Sequence, residues 1–203
     1  MDGGCETTCK ALCIVGSPRE KGSTAFIVDK MIAGMAERGV DVKRYGLGAL
    51  RINYCKGCHV CEGTGRCVQR DDMDLVLGDL FEADIVLVAS PSYWGDVTGQ
   101  LKVFIDRCTP LCDAKTGETP VPPGKVGVAV AIRAGQSVVE NQHIIDTIEH
   151  FFGHLGIKLV ETYTLEGVEQ PADLKGKTIK IQEAYELGLR VPEHIQRVGD
   201  HVE

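Results

Sequence analysis

The chain has 203 residues, 43% of them hydrophobic and 25% charged, with a formal net charge of −7. That length builds one domain with a substantial core, and the composition is that of a globular chain and not a disordered one. An acidic chain without a lysine/arginine run lacks the basic face of a nucleic-acid binder, and no apolar stretch reaches the roughly 20 residues of a membrane-spanning helix.

Met1 to Glu6 offers neither a basic nor an apolar stretch, so no secretory signal is read there. Nine cysteines, odd in number and clustered, point to a reducing cytoplasm and to metal or catalytic roles, not disulfides. Residues 1–9 read as a flexible leader on a single domain spanning 1–203, without internal repeats or low-complexity linkers. Residues 11–15 are a continuous apolar run closed by Gly16, the pattern of a central parallel strand buried on both faces. Ile27, Val28, Met31, Ile32 and Met35 then recur at helical spacing, with Gly39 as the stop. Residues 40–45 read as a second strand, and a cysteine-rich loop fills 46–71. A short helix is predicted over 72–81, a buried third strand over 84–89 and a helix over 98–107. Strand four is predicted over 125–132. Ile145, Ile148, Phe152 and Leu155 mark the next helix, 157–164 the fifth strand and 178–190 a last helix that Pro192 ends. Strands alternating with helices define an α/β domain. A phosphate-binding type of turn after the first strand suggests a flavodoxin-like, doubly wound parallel sheet of five strands in the order 2-1-3-4-5.

Ligands of such sheets sit beyond the carboxyl ends of the strands, where three loops carry unusual residues. The loop over 16–24 brings Ser17, Ser23 and Thr24, the cations Arg19 and Lys21, and backbone amides at a helix start. That set suits a phosphate monoester, although a simple helix cap by Ser23 or Thr24 explains part of it. Neither G-x-G-x-x-G nor a Walker sequence is present. The loop over 90–97, with Pro91, Ser92, Tyr93, Trp94 and Gly95, could wall a planar heterocycle or cover a subunit interface. In the loop over 133–137, Gly135 permits close backbone approach and Ser137 can cap the following helix.

Cys55-x-x-Cys58-x-x-Cys61-x5-Cys67 places four thiols on one short loop, as iron–sulfur clusters require. Zinc and free or oxidised thiols are the other readings; closely set spacers argue mildly against zinc. His59 reads as a spacer, His150 and His154 as surface residues, and Asp71 and Asp72 as charges favouring a helix dipole. Cys13 reads as a small core residue, while Cys5 and Cys9 fall in the leader.

Taken together, several motifs resemble the NADPH-dependent FMN reductase-like flavoproteins, and within them the iron–sulfur flavoprotein group. They are Gly16-Ser-Pro-Arg-x-x-Gly-Ser-Thr24, the cysteine run, Asp71-Asp72-Met73, and Ser90-Pro-Ser-Tyr-Trp-Gly95 leading into Gln100-Leu-Lys-x-Phe-Ile-Asp-Arg107. The resemblance covers about residues 10–165. It implies one FMN per subunit, with its phosphate on Ser17, Arg19, Ser23 and Thr24. The flavin ring would lie against Pro91, Ser92, Tyr93, Trp94 and Gly95 and against Arg133, Gly135 and Gln136. It further implies a 4Fe–4S cluster on Cys55, Cys58, Cys61 and Cys67, one that purification can strip, and a homodimer or homotetramer. The resemblance assigns Cys108 and Cys112 no role. The activity expected is an FMN-dependent oxidoreductase passing electrons between cluster, FMN and a partner, with ferredoxin or NAD(P)H as donor and no side chain as general acid or base. Two alternatives stand beside it: an NAD(P)H-dependent FMN, quinone or nitro-compound reductase without a cluster, and a non-enzymatic flavodoxin-like carrier.

Overall fold

The fold starts from three apolar strands, β1 (Lys10–Val15), β3 (Ile85–Pro91) and β4 (Val126–Ile132), whose side chains are buried almost without exception. Two less buried strands, β2 (Asp41–Gly46) and β5 (Lys158–Leu165), take the edges. The computed structural model describes residues 8–113 and 115–195, so most of the predicted leader, with Cys5, lies outside the described residues. All neighbouring strands pair in parallel, in the order β2-β1-β3-β4-β5, which is the flavodoxin-like arrangement expected. Burial explains the order: the continuous apolar runs occupy the centre, and the runs interrupted by charge occupy the rim.

Alternation along the strands divides the core in two. Ala11, Cys13, Val15, Leu87, Val128 and Val130 face α1 (Ser23–Glu37) and α6 (Thr178–Arg190). Leu12, Ile14, Val86, Val88 and Ala129 face α3 (Met73–Glu82), α4 (Gly99–Arg107) and α5 (Val138–His154). Cys13 is fully buried and its thiol is pushed up to about 12 by desolvation, as befits a core residue and not a nucleophile. On the first face α1 and α6 touch backbone to backbone. A Cβ on Gly188 would lie 2.0 Å from the Met31 carbonyl oxygen, and one on Gly34 2.3 Å from that of Tyr185. On the second face the buried Lys125 donates from Nζ to the carbonyls of Phe81 (2.8 Å) and Ala83 (2.5 Å), satisfying groups that the end of α3 leaves unpaired.

The excursion between β2 and α3 contains a 3-10 turn (Leu47–Ala49) and a five-residue helix, α2 (Val60–Thr64), which the sequence pattern does not announce. Two bulky residues, His59 (φ 58°) and Trp94 (φ 57°), adopt left-handed backbone, and each sits in a loop at a candidate site.

Candidate functional site

At the carboxyl end of β1 the chain turns sharply before α1. Ser17 Oγ accepts from the Arg19 amide (3.1 Å), and the Gly22 amide donates to the Arg19 carbonyl (3.1 Å). No side chain caps α1. The early amides of this helix therefore face the loop opening, together with the favourable end of the helix dipole. Ser17, Ser23 and Thr24 are all buried, and Ser23 Oγ has no hydrogen-bond partner. A buried hydroxyl without a partner is costly, so this one fits an acceptor-rich group such as a phosphate. Arg19 spends Nη1 on the Glu169 carbonyl (3.2 Å), which draws the segment after β5 into the site.

This turn is fastened to the loop after β3 by a residue that sequence reasoning took only as a helix start. Thr98 is fully buried; its hydroxyl donates to the Gly16 carbonyl (2.5 Å) and accepts from the Leu101 amide (3.2 Å), capping α4. Its own amide donates to Ser90 Oγ at 3.1 Å. The Ser92 amide donates to Ile132 O (2.7 Å), tying the same loop to the end of β4. Tyr93 and Asp96 exchange backbone hydrogen bonds of 3.0 and 3.2 Å around Trp94 and Gly95, whose φ values of 57° and 80° make a tight left-handed turn. Trp94 stands wholly in solvent at the tip, and Tyr93 is half exposed.

The loop after β4 is braced by the loop after β5. The Val168 amide donates to Arg133 O (2.9 Å) and the Gly167 amide to Gly135 O (3.0 Å). The Arg133 guanidinium is held through both terminal nitrogens, Nη1 donating to Ser137 O (2.7 Å) and Nη2 paired with Glu140 (2.6 Å), while its buried Nε has no partner among the described residues. Six of the predicted residues, Ser17, Arg19, Ser23, Thr24, Pro91 and Tyr93, line one crevice together with Gly22, Ile132, Val168 and Glu169. Ser92, Trp94, Gly95, Arg133, Gly135 and Gln136 are not among the residues that line it. The contribution of Val168 and Glu169 was not legible, because no motif marks the segment after β5.

The cysteine loop is zipped at its base. Arg51 N donates to Asp72 Oδ2 (2.7 Å), Asn53 N and Nδ2 to Asp71 Oδ2 (3.0 Å each), and Gln69 Nε2 to Tyr54 O (3.0 Å). Beneath it Asp71 and Arg107 form a buried bidentate ion pair of 2.6 and 3.0 Å. Burial alone would raise the Asp71 carboxyl, but the Arg107 guanidinium and the Asn53 and Met73 donors hold it well below the usual carboxylate range. Asp71 is thus a lock on the loop, and not chiefly the helix-dipole charge expected. Beyond the zip, Cys55, Cys58, Cys61 and Cys67 all line one cavity of about 240 Å³. Burial pushes the Cys61 thiol up, and proximity of the Cys67, Cys55 and Cys58 sulfurs adds to it. Among the described residues no three His, Cys, Asp or Glu side chains converge on a point that would hold a single ion. The four thiols surround a space. His59 pairs with Glu62 (2.6 Å), as a spacer would. Cys108 is buried, while Cys112 lies 3.6 Å from His154, whose other ring nitrogen is 3.1 Å from His150.

A parallel sheet with a hydroxyl-lined helix start at its switch point defines a flavodoxin-like protein of the mononucleotide-binding kind. Residues 9–165 match the NADPH-dependent FMN reductase family, and the chain belongs to that family of FMN-dependent oxidoreductases. It is 32% identical over 195 residues to an iron–sulfur flavoprotein of Methanocaldococcus jannaschii, across 93% of this chain and 98% of that protein. It is 40% identical over 126 residues to an iron–sulfur flavoprotein of Archaeoglobus fulgidus, across 62% of this chain but only 55% of that protein. The NAD(P)H:quinone oxidoreductase of Methanothermobacter marburgensis superimposes with a TM-score of 0.70 at 16% identity, covering 91% of this chain and 96% of that one, a likeness of fold alone. Among the described residues no helix is long and apolar enough to cross a membrane.

Proposed function

We propose that this FMN-dependent oxidoreductase also carries a 4Fe–4S cluster on Cys55, Cys58, Cys61 and Cys67 and moves electrons between that cluster, FMN and a redox partner. The observation that supports the reading is that all four cysteines line one cavity beyond the locked base of the loop. When bound, FMN and cluster supply an exchange between two-electron and one-electron chemistry, and the protein supplies placement and electrostatics.

The residues present fit that task. The amides at the start of α1 and the hydroxyls of Ser17, Ser23 and Thr24 bind the FMN phosphate, and Arg19 and Lys21 balance its charge. Backbone groups of Pro91 to Gly95, and of Gly135 and Gln136, bond the edge of the ring. Arg133 shapes the ring site through its backbone, since its guanidinium is held by Glu140 and Ser137. Tyr93 covers one face of the ring. Trp94, wholly exposed at the turn, is covered by a second copy of the chain in a homodimer or homotetramer. The electron donor is ferredoxin or NAD(P)H, and a thiol-rich loop suits a reducing cytoplasm.

Anaerobic purification followed by iron, acid-labile sulfide and absorption measurements tests the reading. About four iron and four sulfide per chain, with broad visible absorption beneath the flavin peaks, is the expected result. Stoichiometric zinc without iron, or rapid NAD(P)H oxidation with quinones by metal-free protein, would replace it with the cluster-free reductase.

A further inference from the structure

Arg107, the last residue of α4, has a side chain only 1% exposed. Nη1 donates to Asp71 Oδ2 (2.6 Å) and Asn53 O (2.9 Å), and Nη2 donates to Asp71 Oδ1 (3.0 Å). Among the described residues, its buried Nε has no hydrogen-bond partner. A buried polar nitrogen normally has a hydrogen-bond partner, so this one needs a reason.

The pair is also asymmetric in its placement. Asp71 is saturated by Arg107 together with the amides of Asn53 and Met73 and the Asn53 side chain. Arg107, by contrast, forms part of the wall of the cavity that the four cysteines line. A staple for the loop base would need the two charges in contact and nothing more. It would not need the cationic half turned to the thiols with a donor in reserve.

We infer that Arg107 is a positioning residue for the centre held by the cysteines: its Nε–H is kept for a sulfur of that centre, and its cation, oriented by Asp71, favours the reduced state. The inference rests on the cluster reading above. One-electron reduction adds one negative charge to a thiolate-held centre. No bond is made or broken in that step, and no proton has to move. A fixed cation in the cavity wall therefore raises the midpoint potential, and a hydrogen bond to a ligating sulfur acts in the same direction. The low dielectric of the surroundings makes both effects larger than they would be at the surface.

The experiment compares the anaerobically reconstituted full chain, FMN and cluster bound, with two variants. Arg107→Lys keeps a cation beside Asp71 but has no Nε–H to give. Asp71→Asn combined with Arg107→Gln removes both charges and leaves no buried ion unpaired. Reductive titration with dithionite, as the one-electron donor in solution, is followed by electron paramagnetic resonance for the cluster and by visible absorption for FMN. Both variants are expected to shift the cluster midpoint to more negative potential, the double variant further, with the FMN couple unmoved. Iron and sulfide should also be lost several-fold faster to a chelator. An unchanged cluster midpoint in both variants overturns the inference, even if iron is lost faster, because a mere staple would give that result. If the wild-type chain takes up neither iron nor sulfide, the cluster reading fails and takes this inference with it. Wild-type uptake with identical midpoints sinks the inference alone.

Discussion

In the crevice above β1 and β3, each loop is tied to the end of a strand. Thr98 holds Gly16, Ser92 holds Ile132, and Val168 and Gly167 hold the segment after β4. In the cysteine loop, the ties between its two limbs run as far as Tyr54 and Gln69, and the four thiols beyond them line a cavity. The first site is preorganised by the sheet, so its ligand meets a shape already made. The second is fixed at its root, by a buried ion pair and the Arg51, Asn53 and Gln69 bonds, and is held further out by short-range bonds such as Thr64 Oγ1 to Val60 O and Arg70 Nη1 to Cys67 O. The difference teaches where a mutation will act: at the crevice it weakens binding first, and at the loop root it weakens the fold first.

Four measurements break or sharpen that contrast. The largest effect is expected from Arg107→Ala, which strands a buried carboxylate and should cost about 3–5 kcal/mol, seen as a lower urea midpoint. The same pair sets an acid limb. The Asp71 carboxyl is depressed in the folded chain, so its stabilisation is complete above the ordinary aspartate range near pH 4 and declines as pH falls towards its folded value. Asp71→Asn should therefore unfold with a flatter dependence below about pH 4 than wild type; identical acid limbs would show the pair is not the lock. Next comes Arg19→Ala with Thr24→Ala. Losing a charge-assisted bond costs about 1.5–3 kcal/mol, so FMN affinity, read by flavin fluorescence, should fall at least tenfold while the urea midpoint barely moves. The smallest effect belongs to Thr98→Val, which deletes an N-cap and the bond to Gly16. It should cost about 1 kcal/mol of stability with a modest loss of FMN affinity. A stability loss without any change in FMN binding would mean that the crevice does not depend on this tie.

The strands and most helices were legible because burial on both faces leaves uninterrupted apolar runs, such as residues 85–88, and because helical faces repeat, as in Ile27, Val28, Met31 and Met35. The strand order followed from alternation and a loop suited to phosphate. The tie between Asp71 and Arg107 was not legible, since partners 36 residues apart carry no local pattern. Likewise the meeting of α1 and α6 rests on Gly34 and Gly188, which in sequence look only like weak points in two helices. At the candidate site, the hydroxyl-rich loop was readable from its composition. The burial of Ser23 and the commitment of Arg133 to Glu140 depend on how distant loops close, which no single segment records.

Gly188 resting on the Met31 carbonyl has a consequence for biosynthesis. The helix whose opening turn presents amides to an incoming phosphate is clamped by a helix that begins only at Thr178 and so leaves the ribosome long after it. Until residue 190 has emerged, the nascent polypeptide owns the coenzyme's grip but not the brace behind it, so cofactor capture waits for α6.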